Sequence, residues 1–285
     1  MKLGVSTYSL SRAIRSGELS VLDVLVKIKE MGGEHAEIVP IGFSLTEDPS
    51  LIDAIKEKAA ELELELSNYA ISANFITEDE ASYRQEIERV KKEVDVAHKL
   101  GIKLMRHDVA SRPDTSIVNF YQDLPKLADA CREIADYAAQ YGITTSVENH
   151  GFYIQAHERV QLLVHMVDRP NYKTTLDIGN FMCVDEDPAV AVKQNLPIAS
   201  MIHIKDFYKR PSYQDPGAGW FKTAHGNYLR GAIAGQGDID MREVLRIIKQ
   251  SGFDGYMSIE FEGLEECQYG TKTGLDNIRR LWNEC

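Results

Sequence analysis

Short apolar runs alternate with longer amphipathic stretches along this chain, almost without interruption. Eight runs have the character of strands: LGVSTY (3–8), HAEIV (35–39), LELSNYA (64–70), KLMRH (103–107), TTSVEN (144–149), TTLDIG (174–179), SMIHIK (200–205) and YMSIEF (256–261). Between them, apolar positions recur at helical spacing. LSVLDVLVKIKEMG carries Leu22, Val24, Leu25 and Ile28 and stops at Gly32-Gly33, while DPSLIDAIKEKAAEL has Pro49 near its first turn. Helical patterns near 79–100, 119–142 and 240–252 run into HKLGIK, QYGIT and QSGFD, where a glycine supplies the stop. A last amphipathic helix is predicted over 272–283.

Eight strand–helix units in 285 residues predict an α/β fold, a single (β/α)8 TIM barrel spanning 1–285. An open doubly wound sheet is the alternative, but VSTYSLSR, after the first strand, lacks the glycine-rich phosphate turn of such sheets. The stretch 207–238 reads as one long irregular loop between strand seven and the next helix. In a barrel, such loops surround the active site.

Composition adds exclusions. A hydrophobic content of 44% suffices for a sizeable core, and a formal net charge of -12 argues against nucleic-acid and membrane-surface partners. The four cysteines are scattered without CxxC spacing, so neither a disulfide framework nor a thiolate zinc site is expected. MKLGVSTYSL has no long apolar region and no run is long enough to span a membrane, which makes the cytoplasm the expected location. A homo-oligomer is left open.

The chemistry lies where strands end. Glu148, Asp177, His203 and Glu260 sit near the C-terminal ends of strands five to eight, out of phase with the apolar Val147, Leu176 and Ile259. A closed barrel would bring all four to one mouth. Three carboxylates there would repel one another without a counter-ion. A divalent cation removes that cost, and three oxygen donors with one imidazole suit manganese first, with magnesium, cobalt or zinc as alternatives. Taken singly, each acid would be read as a solvated loop charge or a helix cap.

SVENHG, TLDIGN, HIKD and GQGDIDMREVLRIIKQSGFDGYMSIEFEG carry a family resemblance. The chain resembles the xylose-isomerase-like barrels grouped as sugar phosphate isomerases/epimerases, which include ketose 3-epimerases, inosose dehydratase and endonuclease IV. The resemblance implies that Glu148, Asp177, His203 and Glu260 are metal ligands. It also implies that Glu148 and Glu260 are catalytic, passing an α-proton across a metal-stabilised enediolate of a sugar or keto-sugar. Where ketose epimerases and endonuclease IV commonly carry a histidine three residues after the ligand Asp, this chain has Asn180, which can bond a hydroxyl but cannot titrate.

Further substrate contacts are expected from Lys205, on the face of His203, from His150 and from His107; Arg106 would then point outward. Each has a structural reading too, as a salt bridge or a satisfied core histidine. Trp220 and Arg230, in the long stretch, are candidates for a lid or stacking wall and for an anion contact, with loop packing as the alternative. Glu37 is read only as a polar contact. The leading function is a metal-dependent sugar or keto-sugar isomerase/epimerase. The alternative is a dehydratase or lyase on a keto-sugar or 3-keto glycoside, including a deglycosidase large subunit. More distant readings are an endonuclease IV-like repair enzyme and a non-catalytic sugar-binding barrel.

Overall fold

A computed structural model describes residues 1–285. Eight parallel strands close a barrel: β1 (Lys2–Ser6), β2 (His35–Ile38), β3 (Glu65–Ile71), β4 (Leu104–His107), β5 (Thr144–Glu148), β6 (Tyr172–Asp177), β7 (Ala199–Ile204) and β11 (Tyr256–Ile259). Three further strands, β8 (Asp206–Arg210), β9 (Phe221–Lys222) and β10 (Tyr228–Ala232), form a separate antiparallel sheet. The helices are α1 (Ser11–Arg15), α2 (Val21–Glu30), α3 (Ser50–Glu61), α4 (Glu80–Leu100), α5 (Ile117–Ala139), α6 (His157–Val167), α7 (Pro188–Asn195), α8 (Met241–Gln250) and α9 (Cys267–Glu284). The predicted (β/α)8 barrel is the observed fold.

Local chemistry explains the helix boundaries. Ser20 and Asp23 cap α2 reciprocally, and its buried Val21, Val24, Leu25 and Ile28 face the barrel. Gly101 ends α4 with φ +78°, a conformation that costs glycine nothing. No helix is long and apolar enough to cross a membrane.

The stretch 207–238 corrects the sequence reading. A small sheet is built into it: β8 follows β7 after Lys205 alone and pairs with β10, from Asp206↔Ala232 to Arg210↔Tyr228, while 211–220 and 233–238 are irregular. The alternation of HIKDFYKR simply continues past the barrel rim. Asp206 roots the excursion, its carboxylate accepting backbone N–H groups of Phe207, Gly235 and Gly237 at 2.9–3.0 Å. Gly237 is required there, because a Cβ would lie 2.1 Å from an Asp206 oxygen.

Candidate metal centre and substrate pocket

Period-two alternation turns Glu148, Asp177, His203 and Glu260 inward at the C-terminal ends of β5, β6, β7 and β11. Asp177 pairs in register with His203 because the β6–β7 register shifts between Thr174 and Thr175. One ligand atom from each of the four lies within 4.8 Å of the others, and all four residues are buried.

His203 is clamped from behind. Its Nε2 lies 2.9 Å from Glu37 Oε1, and the same carboxylate oxygen accepts Asn68 Nδ2 at 2.7 Å. Its Nδ1 has no hydrogen-bond partner and faces Glu148, Glu260 and Asp177 oxygens at 3.6, 3.7 and 4.0 Å. Asp177 Oδ1 accepts the N–H groups of Gly179 and Asn180 at 2.7 and 2.8 Å, whereas Oδ2 carries no hydrogen bond. Two orphaned buried atoms therefore point at the same spot as two further carboxylates. This donor set fits a divalent cation bound by one imidazole and three carboxylates.

The two glutamates differ. Glu148 is held on both oxygens: Arg106 Nη2 lies 2.7 Å from Oε2, and Asn180 Nδ2 donates to Oε1 at 3.0 Å. Burial opposes its charge, but Arg106 and His203 outweigh that and hold its pKa well below the usual range. Burial pushes Glu260 up to about 7, against the pull of Lys205, whose Nζ is 2.7 Å from Oε2. Burial also opposes the imidazolium of His203, yet Glu37, Glu260 and Glu148 raise its pKa well above the ordinary value.

Beside the cluster lies a cavity of about 310 Å³, walled by Tyr8, Ile41, Ser72, Asp108, His150 and Glu262 among others. His150 and Lys205 line it, as the sequence suggested. Asn180 is buried behind the wall, with Glu148 on one side and Lys205 Nζ 3.3 Å from Oδ1 on the other.

Three expected contacts are corrected. His107 turns away from the cavity into the outer layer, edge-on to Phe75 and tilted against Tyr172, while Arg106 is the inward residue. Arg230 is held between Tyr208 and Trp220, 4.8 and 5.5 Å from the ring centroids, and neither Arg230 nor Trp220 lines the cavity. Cation–π stacking within the excursion accounts for both. Asp108, Tyr8 and Glu262 also line the cavity without standing out in the sequence, although Glu262 lies two residues past Glu260, the spacing that puts Lys205 on the face of His203.

Residues 25–281 match the family described as xylose isomerase-like TIM barrel. This chain belongs to that family. Among individual proteins it is similar to the inosose dehydratase of Lacticaseibacillus casei, 24% identical in an alignment of 188 positions that covers 59% of this chain and 60% of that protein. The chain therefore matches about three fifths of the length of that relative. Its fold is similar to that of the IOLI protein crystallised with a zinc atom, with TM-score 0.78 and 19% identity over 100% of this chain and 99% of that one. A D-tagatose 3-epimerase-like protein has the same fold, with TM-score 0.73 and 22% identity over 100% and 99% of the two chains.

Proposed function

We propose that this chain is a metal-dependent enzyme that removes the proton α to the carbonyl of a keto-sugar or keto-cyclitol. The observation that carries this reading is the convergence of Glu148, Asp177, His203 and Glu260 on one buried point that opens into a cavity. These four would hold the ion, and the oxygen-rich set makes manganese our choice, with magnesium, cobalt or zinc as alternatives. A bound divalent cation would supply Lewis acidity to the carbonyl being enolised.

The protein's own groups divide the remaining work. Glu260, facing the cavity, takes the α-proton. Lys205 lies 2.7 Å from Glu260 and 3.1 Å from Glu262, ion pairs that hold its ammonium beside the proposed base. Glu148, three strands away around the barrel and ionised beside Arg106, would relay a proton from water or a substrate hydroxyl to the other side of the reacting carbon. That outcome is isomerisation or epimerisation.

A second reading is elimination, as in a dehydratase or lyase. It is favoured by the pairing of Glu148 with Arg106 at 2.7 Å, which keeps that carboxylate ionised and leaves Glu260 as the main proton carrier. The likeness to an inosose dehydratase points the same way. Proton NMR in D2O, with a panel of ketoses, inososes and 3-keto glycosides, separates the outcomes: an epimer deuterated at the α-carbon, or a product lacking water or aglycone. Wild-type deuterium exchange in Glu260→Gln would remove Glu260 as the base.

A further inference from the structure

An enzyme that enolises sugars can select phosphorylated, acidic or neutral ones. Anion selection needs a cation or amide cluster free to meet the ligand. Every permanent cation in this wall is already engaged. Arg106 lies 2.7 Å from Glu148 and 2.9 Å from Asp108, and it donates to the Ile71 carbonyl at 3.1 Å. Lys205 sits within 3.3 Å of Asp177, Glu260 and Glu262. Arg89 bonds Glu86 at 2.8 and 2.9 Å and the Ser72 carbonyl at 2.7 Å, with Glu93 at 3.7 Å. His150 Nδ1 is turned to Asp108 at 3.2 Å.

Charge count runs the same way. Glu93, Asp108, Glu148, Asp177, Glu260 and Glu262 line or adjoin the cavity, against three permanent cations. A divalent ion would narrow that excess to one negative charge, before any proton on His150 is counted. Arg230, whose position in the sequence suggested an anion contact, is stacked outside. A phosphate or carboxylate would find each guanidinium and ammonium of the wall already beside a carboxylate. Hydroxyl groups, by contrast, are donors that such carboxylates accept. At about 310 Å³ the cavity lies at the low end for small-molecule sites, which suits one ring.

We infer that the cavity is built for an uncharged polyhydroxylated ketone one sugar ring in size, and that it rejects phosphorylated and carboxylated sugars. This rests on the enolisation reading for its chemistry but on the wall alone for its charge preference.

The test measures binding by calorimetry and exchange by NMR in D2O on the magnesium-loaded protein. The ligands are inososes and ketoses, each ketose paired with its terminal phosphate ester. Neutral members are expected to bind at least tenfold more tightly than their esters and to exchange. Esters that bind as tightly would overturn the inference, and if they also exchanged, enolisation would stand. Neutral members that bind without exchanging would retain the charge preference and remove enolisation. Binding by no member would overturn the inference. Asp108→Asn, which takes a carboxylate from Arg106 and His150, should narrow the neutral-to-ester ratio roughly tenfold. An unchanged ratio would overturn the charge-based account.

Discussion

Glu37 and His203 reach each other across the barrel interior from β2 and β7, Oε1 to Nε2 at 2.9 Å, with neither side chain exposed to solvent. The carboxylate fixes the ring so that Nδ1, the other nitrogen, faces the ligand cluster. Removing the charge while keeping the shape isolates that effect. Glu37→Gln should lower divalent-ion affinity roughly 10- to 100-fold in calorimetric titration, the usual cost of losing such a supporting carboxylate. An affinity equal to wild type would mean that Glu37 only fills space.

Arg106 bridges Glu148 and Asp108 in a buried setting. Arg106→Leu leaves both carboxylates without their cation. The metal-free variant should lose about 3 kcal/mol in urea unfolding, a typical cost of breaking a buried pair from one side. Saturating divalent ion should narrow the gap, since it binds only the folded state. Matching midpoints for wild type and variant would refute this role.

Burial drives the imidazoles of His35 and His107 down to about 4, so both remain neutral at pH 7. The unfolded chain titrates near 6.5 and therefore binds more protons below that pH. Each histidine thus withdraws stability as pH falls from about 6.5 to about 4, by about 3 kcal/mol when complete. Comparing wild type with His107→Gln cancels the other titrating groups. The wild type should lose stability more steeply between pH 7 and 5, and parallel curves would contradict the assignment.

Asp206 gathers the backbone amides that root the β8–β10 sheet. Asp206→Ala strands those donors and should cost about 3 kcal/mol, with early amide exchange confined to residues 207–238. Uniform loss of protection across the barrel would show that the carboxylate instead serves the whole core.

The barrel and its four convergent side chains were legible because both depend on the same period-two rule, repeated on successive strands. The error at β4 shows the limit of that rule. A shift of one residue exchanges the inner and outer faces, and KLMRH alone does not say whether Arg106 or His107 is inside. Strand pairing does: Arg106 is in register with Ser146, whose hydroxyl meets Thr175 Oγ1 within the barrel. Glu37 was underweighted because its partner lies 166 residues away. The excursion escapes a local reading because β8 and its partner β10, each as long as β1, are separated by a stretch containing proline and glycine, so pairing at a distance sets the structure.

Trp220, held near Arg210 and Arg230 at 5.4 and 5.5 Å, has a use unrelated to sugar contact. The chain has two tryptophans, and the other, Trp282, lies on the closing helix α9. Indole emission responds to the charges beside it. Replacing Trp282 with Phe would leave Trp220 as the single indole, excited selectively over the tyrosines and able to report in real time whether that sheet shifts when a ligand enters the cavity.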